Sequence, residues 1–259
     1  MFGRAGTSKS SKRTRCLTVA LVLSLGSAAS AQAQPAESAG SEEHDPWQNM
    51  NRRTFAFNEG LDRWVLTPVA KGWDFIAPDF VQTGVANVFA TEGMVVVLAN
   101  DILQLKALEA TQDVGRIVVN VTVGLAGLFD VATKVGIPRN DEDFGQTLGH
   151  WGVPAGPYLV LPIFGPSNPR DTVGLIADTA SSPWTYFVDW YISIPVSVFE
   201  FVNLRTIYLE DIDELRHTAL DYYVFQRNAY VQSRELSVKG LESIEAEAEE
   251  DLYYFDDEE

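Results

Sequence analysis

The sequence predicts an all-α fold. Apolar residues recur at intervals of three and four over most of the chain, as they do on one face of an α-helix, and prolines divide these stretches. Alternating segments joined by hairpin turns do not recur, which argues against an all-β fold. A strip rich in Gly and Pro, from Glu142 to Asp171, separates the helical stretches and carries Gly145, Gly149, Gly152 and Gly156. Such a strip predicts backbone that turns sharply or approaches a neighbour closely.

Residues 1–33 are predicted to form a secretory signal peptide. Five basic residues precede an apolar core, Leu17 to Leu25, that is too short to span a bilayer. The small residues before the expected cut end at Ala33, and a cut after Ala31 is the alternative. The one cysteine, Cys16, precedes the apolar core, so the exported chain is expected to have no thiol. This excludes disulfides, thiolate catalysis and an acyl anchor on a lipobox cysteine.

The exported chain is strongly acidic. Removing five basic residues and no acid from a total of 19 basic and 36 acidic residues leaves a formal net charge of −22. Nucleic acid and anionic lipid surfaces are therefore poor partners. Residues 34–44 are expected to be a disordered leader, and residues 241–259 a solvated acidic tail. A docking strip for a basic partner is the alternative for the tail.

The main body is expected to span residues 45–240, and its first helix to start at Asp45-Pro46. Asp is a favoured N-cap residue and Pro is favoured at the first helical position. Apolar residues then follow at helical spacing, and Pro68 and Pro78 are expected to divide this region into short helices.

Two further helical patterns follow. The stretch from Asp79 to Asn100 contains the β-branched run Val95-Val96-Val97, but its neighbourhood has helical periodicity, so we predict a helix. Helical spacing continues from Asp101 to Thr122.

The segment from Val123 to Ile137 is almost wholly apolar. Its two charges, Asp130 and Lys134, are four residues apart and would share one side of a helix. Three glycines lower its helix stability and permit bending. Two interpretations stay open, a buried core helix and a hairpin or re-entrant segment in an apolar medium.

The segment from Trp184 to Val202 is predicted to be one helix, kinked at Pro195. Asp189, Ser193, Ser197 and Glu200 would form a narrow polar stripe on it, and large apolar residues cover the other sides. Such a helix is either deeply buried or in contact with lipid. The carboxylates in the stripe argue against a plain transmembrane span.

Two more helices complete the prediction. A short one is expected from Asp171 to Thr179. A long amphipathic one is expected from Asp211 to about Glu250, laid across the body of the protein.

The chain shows no catalytic or metal-binding motif. The histidines lack ligand spacing; they are His44, His150 and His217. Ser167 is not in a nucleophile elbow, and the glycine run lacks the Lys-Ser/Thr ending of a phosphate loop. The sequence leaves open that Glu142, Asp143 and Asp171 meet as a carboxylate cluster. We therefore expect neither catalytic residues nor a cofactor or metal.

Three sequence blocks resemble the MlaA/VacJ family. They are DPWQxxNRxxFxFNxxLD (Asp45 to Asp62), EDFGQTLGHWGVPAGPYLVLP (Glu142 to Pro162) and GPSNPRD (Gly165 to Asp171). The resemblance extends from Asp45 to about Gln232, with all three blocks in order.

The resemblance implies a ring-like bundle of amphipathic and apolar helices, with a short hairpin segment, lying in the inner leaflet of a Gram-negative outer membrane. It implies binding to a trimeric outer-membrane porin. It also implies an amphipathic passage that withdraws phospholipid from the outer leaflet and hands it to a soluble periplasmic carrier. Family members are usually lipoproteins, and in this respect the chain departs from the pattern.

In this interpretation the Val123–Ile137 segment corresponds to the hairpin beside the passage. Membrane or lipid contact is then expected at Leu125, Leu128, Phe129, Val131, Trp184, Phe187 and Tyr191. Two other hypotheses remain, a porin-associated scaffold that moves no lipid and a lipid hydrolase that uses Ser167.

Overall fold

The computed structural model describes residues 45–239 and confirms the all-α prediction. Helices joined by short turns make up most of this range, and a single small hairpin lies among them. The helical elements are α1 (Gln48–Leu61), a π-helical segment (Asp62–Leu66), α2 (Thr67–Ile76), α3 (Asp79–Leu103), α4 (Ala107–Thr122), α5 (Val131–Lys134), α6 (Phe144–His150), α7 (Pro169–Ser181), α8 (Pro183–Phe187), α9 (Trp190–Ile207), α10 (Leu209–Thr218) and α11 (Tyr222–Lys239). The predicted signal peptide, leader and acidic tail lie outside the described residues.

The predicted start of the first helix is wrong, because α1 begins at Gln48 and Asp45 does not cap it. Asp45 is buried and accepts hydrogen bonds from Asn51 (2.8 Å) and from the hydroxyl of Tyr223. Arg227 lies 3.5 Å from the same carboxylate. The side chain therefore ties the start of the domain to α11 instead of capping α1.

The two prolines of this region behave differently. Pro68 does not break the helix, because it lies in the first turn of α2 directly after the π-helical segment. In that segment Thr67 N–H bonds to Asp62 O, five residues back, which widens the turn. Pro78 does separate α2 from α3, as predicted.

Helix α3 confirms that Val95–Val97 is helical. The helical pattern predicted from Asp101 to Thr122 does not continue α3 without a break, since Gln104–Lys106 form a turn and Leu105 has a φ of 62°. Within residues 45–239, α3 is the one unbroken helix with the length and composition to cross a membrane, while α9 and α10 meet that test only as a pair bent by 62°.

The glycine strip is confirmed as a region of turns and close packing. A methyl group on Gly174 of α7 would lie 2.4 Å from Gly145 N on α6, so the two helix backbones are nearly in contact. Gly152 and Gly156 have positive φ angles of 86° and 76° in the turns that follow α6. The strip then forms an antiparallel hairpin, β1 (Leu159–Leu161) with β2 (Gly165–Ser167).

Two predicted long helices are each divided. The Trp184–Val202 pattern breaks at Val188 and Asp189, both extended, whereas α9 runs on through Pro195. The C-terminal pattern breaks after α10, and Asp221 then accepts a hydrogen bond from Val224 N at the start of α11 (3.2 Å). In both places an aspartate stands next to the new helix start, which the periodicity did not reveal.

The helices pack in a connected series around a small apolar core. Helix α3 packs against α4 and α9, α9 also packs against α2, and α6 packs against α7 and α11. Tyr158, Val160 and Tyr223 form the buried apolar cluster, with Phe55 packed against it. Asn51 docks β1 onto α1 by bonding to Tyr158 O (3.0 Å) and Val160 N (3.0 Å). Much of the remaining interior is polar.

Candidate functional site

Residues 45–239 have an inverted distribution of polarity. Buried polar and charged side chains outnumber buried hydrophobic ones, and many large apolar side chains are exposed. The buried polar set includes Asn51, Asp62, Gln82, Asn100, Asp101, Asp113, Arg116, Asn120, Thr147, Asn203, Arg205 and Arg227. A water-soluble domain normally buries its large apolar residues and keeps charged ones at its surface. Large exposed apolar patches mark surfaces that meet a membrane, a protein partner or a ligand.

Buried polar contacts join the helices in place of an apolar core. Trp73 Nε1 of α2 donates to Asn203 Oδ1 of α9 (2.9 Å), and Asn203 Nδ2 donates to Gln82 O of α3 (2.9 Å). Asp62 accepts from Arg205 (2.7 Å) and from Arg216 (2.7 Å). Burial alone would raise the pKa of Asp62, but the two arginines outweigh it and lower that pKa. These contacts remain strong in an apolar environment, where water does not compete for the partners.

The exposed apolar residues of α8 and α9 form what we call the α8–α9 apolar surface: Tyr186, Phe187, Trp190, Tyr191, Ile194 and Val198. Phe187 is 87% exposed and Trp190 is 74% exposed. The alternative that this segment is deeply buried is therefore wrong for these residues. Glu200, in the predicted polar stripe, is half-buried, and burial followed by the charge of Glu92 on α3 raises its pKa.

The segment after α4 is a compact loop, which we call the 123–130 loop. Leu125, Ala126 and Gly127 all have positive φ angles, so the buried core-helix alternative is wrong. The loop rests on α3, where a methyl group at Gly127 would lie 2.7 Å from Thr91 Oγ1. Asn87 Nδ2 also donates to Leu128 O (3.2 Å). Leu125 and Phe129 remain exposed at the outer side of the loop.

Arg116 of α4 anchors this loop. The side chain is 2% exposed and donates to Asp130 (3.0 Å), Thr133 Oγ1 (3.1 Å) and Ile137 O (2.6 Å). Asn120 Nδ2 also donates to Asp130 (3.1 Å). Burial alone would raise the pKa of Asp130, but hydrogen bonds from Thr133 and Asn120 and the charge of Arg116 lower it. The exposed apolar loop therefore rests on a buried polar anchor.

A cavity of about 360 Å³ lies between α3, α6 and α7. Its lining residues are Val96, Ala99, Asn100, Leu103, Phe144, Ala177, Asp178, Ala180 and Ser181. Most of these are apolar, and the cavity is open to the protein surface. Asn100 Nδ2 donates to Asp178 (3.1 Å), and Asp178 also accepts from Phe144 N (3.0 Å). Burial raises the pKa of Asp178 above its ordinary value, and the hydrogen bonds from Phe144 N and Asn100 oppose that rise.

The residues predicted to contact lipid fall into two groups, and both groups border α3. Leu128 packs beside Gly84 of α3, while Ser182, directly before α8, donates to Glu92 of α3 (3.0 Å). Most of the predicted residues are exposed, and two are half-buried: exposed are Leu125, Leu128, Phe129, Phe187 and Tyr191, and half-buried are Val131 and Trp184. Sequence reasoning missed the cavity-lining residues. Their one signal is small residues at helical spacing, Ala177 with Ala180 and Ser181.

Two of the three carboxylates considered from sequence, Asp143 and Asp171, do meet, but in an ion-pair network. Arg234 bonds both Asp143 (2.6 Å) and Asp171 (2.7 Å), and Tyr230 donates to Asp171 (2.5 Å). Burial alone would raise the pKa of each aspartate, but Arg234 outweighs it and lowers both. Glu142 lies apart from the pair, bound to Lys106 and Gln104. Paired carboxylates of this kind hold α11 against α6 and α7.

Ser167, the candidate nucleophile, has structural partners. Ser167 Oγ is buried and within 3.0 Å of Thr172 Oγ1. Within residues 45–239, no group of three or more His, Cys, Asp or Glu side chains has the arrangement of a metal site.

Comparison with known proteins identifies the family. The sequence profile of the MlaA lipoprotein family matches residues 43–237. This chain belongs to the MlaA family. The match confirms the resemblance that the three sequence blocks indicated.

Individual relatives agree with this assignment. The chain is 31% identical to the intermembrane phospholipid transport system lipoprotein MlaA of Haemophilus influenzae, covering 80% of this chain and 84% of that protein. It is 30% identical to the protein of that name from Escherichia coli, covering 89% and 90%. An uncharacterized protein of Rickettsia felis is 38% identical over 78% of this chain and 81% of the relative.

A solved structure shares the fold. It comes from work on the structural basis for maintenance of bacterial outer membrane lipid asymmetry, and it matches with a TM-score of 0.66 and 31% sequence identity. The match covers 75% of this chain and 98% of the solved chain. The MlaA-type helical fold is therefore common to both proteins.

Proposed function

We propose that this protein removes mislocalised phospholipid from the outer leaflet of a Gram-negative outer membrane and passes it, through an amphipathic passage, to a periplasmic lipid carrier. Relatives named as parts of an intermembrane phospholipid transport system, and a fold shared with a protein of outer-membrane lipid asymmetry, support this proposal. The activity is transport rather than bond chemistry, because lipid enters and leaves unchanged.

The inverted polarity carries the proposal. In lipid, every backbone polar group needs an internal partner, and helices supply it. Phe187 and Trp190 would contact acyl chains, while buried groups such as Asn203 and Arg205 keep their hydrogen bonds inside the protein. A body of this kind would lie in one leaflet, on the periplasmic side.

The cavity supports a route for the lipid. Phospholipid requires apolar walls for its acyl chains and polar contacts for its head group. The cavity between α3, α6 and α7 offers apolar walls, with Asn100 and Asp178 at one corner. Contact at the loop and at α8 would guide lipid towards α3 from two sides; the proposed contact residues are Leu125, Leu128, Phe129, Val131, Trp184, Phe187 and Tyr191.

The proposed partners are phospholipid, a trimeric outer-membrane porin and a soluble periplasmic carrier. The relatives are named lipoproteins, whereas the cysteine of this chain, Cys16, precedes the predicted apolar signal core. We therefore propose that α8, α9 and the 123–130 loop hold the protein in the membrane without an acyl group.

Deletion of the gene in its native bacterium tests the proposal. Surface-exposed phospholipid should increase, and plasmid-borne wild-type protein should restore the low level. The same measurement separates transport from the second candidate, a porin-bound scaffold, because loss of a scaffold should leave the two leaflets unchanged. Unchanged surface phospholipid in the deletion strain would refute the transport proposal.

A further inference from the structure

The junction between α3 and α4 contains a fully buried pair of aspartates. Asp101, near the end of α3, and Asp113, in α4, are each 0% exposed. The two carboxyl groups are neighbours, and each acts on the pKa of the other as a hydrogen-bond partner. Asn140 Nδ2 donates to Asp113 Oδ1 (3.1 Å), but both oxygens of Asp101 and Oδ2 of Asp113 lack any other partner. Two ionised carboxylates cannot hydrogen-bond to each other, because neither has a proton to donate.

Among the described residues, the two cations that influence the pair, Lys106 and Arg116, bind other partners. Lys106 Nζ is bound to Glu142 (2.7 Å), and the two terminal nitrogens of Arg116 donate to Asp130, Thr133 and Ile137 O. The other charged groups that influence the pair, Glu142 and Asp141, are acidic. Two unpaired negative charges buried side by side would be strongly destabilising.

We propose that Asp101 and Asp113 share a single proton in the native protein and act as a pH-dependent lock on the α3–α4 junction. Asp101 carries the proton and donates it to Asp113 Oδ2. Asp113 remains ionised, because Asn140 donates to it and Arg116 lies nearby on the same helix.

The directions in which the pKa values of the two aspartates are shifted agree with this assignment. Burial, then the hydrogen bond and the charge of Asp113, raise the pKa of Asp101 to about 7. Burial raises the pKa of Asp113 as well, but the hydrogen bonds from Asp101 and Asn140 oppose that rise. Such a pair titrates as one unit, as carboxylate dyads do.

The lock acts on elements that border the cavity. Asn100, next to Asp101, lines the cavity and accepts a hydrogen bond from Thr147 of α6 (2.9 Å). Asn140 links Asp113 to the segment before α6, whose Phe144 also lines the cavity. Loss of the shared proton would place two negative charges together and loosen this end of α3.

The sign of the effect on stability is defined by the raised pKa. An aspartate has a pKa near 3.9 in the unfolded chain, so between about pH 4 and pH 7 the native state holds a proton that the unfolded state has lost. The stabilisation of the native state by this extra proton is complete below about pH 4, declines as the pH rises and is gone above about pH 7. Over that window the pair should increase the unfolding equilibrium constant by up to about tenfold per pH unit.

The test compares thermal unfolding of the exported chain in detergent micelles at pH 5 and pH 8. Asp101→Asn keeps the shape and supplies a permanent N–H donor to Asp113. Its Tm should be close to that of the wild type at pH 5. At pH 8 its Tm should exceed that of the wild type by about 5 °C. Asp113→Asn should reduce the pH dependence in the same way. The control Asp79→Asn, an exposed aspartate at the opposite end of α3, should keep the wild-type dependence.

A second measurement applies even if one variant folds poorly. The infrared spectrum of the wild-type protein at pH 6 should contain a protonated carboxyl C=O band that disappears at pH 9 and is absent from Asp101→Asn. Absence of that band in wild type, or Asn variants with the wild-type pH dependence, would overturn the proposal. So would added Ca²⁺ or Mg²⁺ that stabilises wild type but not Asp101→Asn at pH 8, because the pair would then be a cation site.

Discussion

Replacing Arg116 by Met should release the 123–130 loop while leaving the rest of the fold in place. The change removes hydrogen bonds to Asp130, Thr133 and Ile137 O and keeps much of the aliphatic volume. Breaking a buried ion pair costs about 3–5 kcal/mol when the remaining charge is stranded. Asp130 is 31% exposed and keeps its bond from Asn120, so the expected cost is lower, about 2–3 kcal/mol.

This cost should appear as local opening. Because each 1.4 kcal/mol is a factor of ten, the population of the open loop should rise about 30- to 150-fold. Amide hydrogen exchange detects it at bonds that close the loop, Gly127 N to Asn120 O (2.9 Å) and Phe129 N to Gly124 O (2.9 Å). Exchange in α11 should not change.

Arg139→Met is the matched control, since Arg139 is 54% exposed and pairs with Asp141, which is 76% exposed. An exposed pair of this kind contributes about 0–1 kcal/mol, so exchange in the loop should stay near wild type. Equal exchange in the Arg116 and Arg139 variants would refute the assignment of Arg116 as the anchor of the loop.

Three other perturbations follow from the same structure. Gly174→Ala should destabilise the protein by about 1–3 kcal/mol in thermal unfolding, because the methyl group would overlap Gly145 N, whereas Gly72→Ala, with open space around it, should be neutral or slightly stabilising. Phe187→Asp and Phe129→Asp should move protein from the outer-membrane fraction to the soluble fraction or block transport, and normal fractionation with normal asymmetry in both would contradict membrane contact. Stability should fall as the pH drops below about 4, because the arginine-paired aspartates have lowered pKa values and lose their pairs on protonation. A free energy of unfolding that stays constant as the pH is lowered below about 4 would contradict this.

Periodicity predicted the helices well where a single pattern applied. Helix α3 was predicted through Val95–Val97, because its apolar residues keep the helical period on both sides of that run. Periodicity missed the helix ends at which neither a proline nor a glycine interrupts the helical pattern. Leu105 turns the chain with a positive φ, and Asp221 starts a new helix by accepting a bond from Val224 N. Such breaks depend on tertiary contacts that periodicity does not encode.

The site was less predictable than the fold. Exposure of Phe187 was one of two alternatives, because a helix with apolar residues on most sides must either meet an apolar medium or be buried. The cavity could not, since Ala177 and Phe144 become neighbours only after α6 crosses α7 at Gly145 and Gly174. Asp101 and Asp113 are twelve residues apart, and only the turn between α3 and α4 brings their carboxyl groups together.

Surface-exposed phospholipid in a deletion strain that produces the Ala177→Phe variant tests the central claim most directly. Ala177 lines the cavity, so the larger side chain should fill part of it without altering the α8–α9 apolar surface. The account predicts that this variant fractionates with the outer membrane but leaves surface phospholipid high, whereas Ala229→Phe, at an exposed position of α11, restores the wild-type level. Full restoration of asymmetry by Ala177→Phe would contradict a lipid route through this cavity.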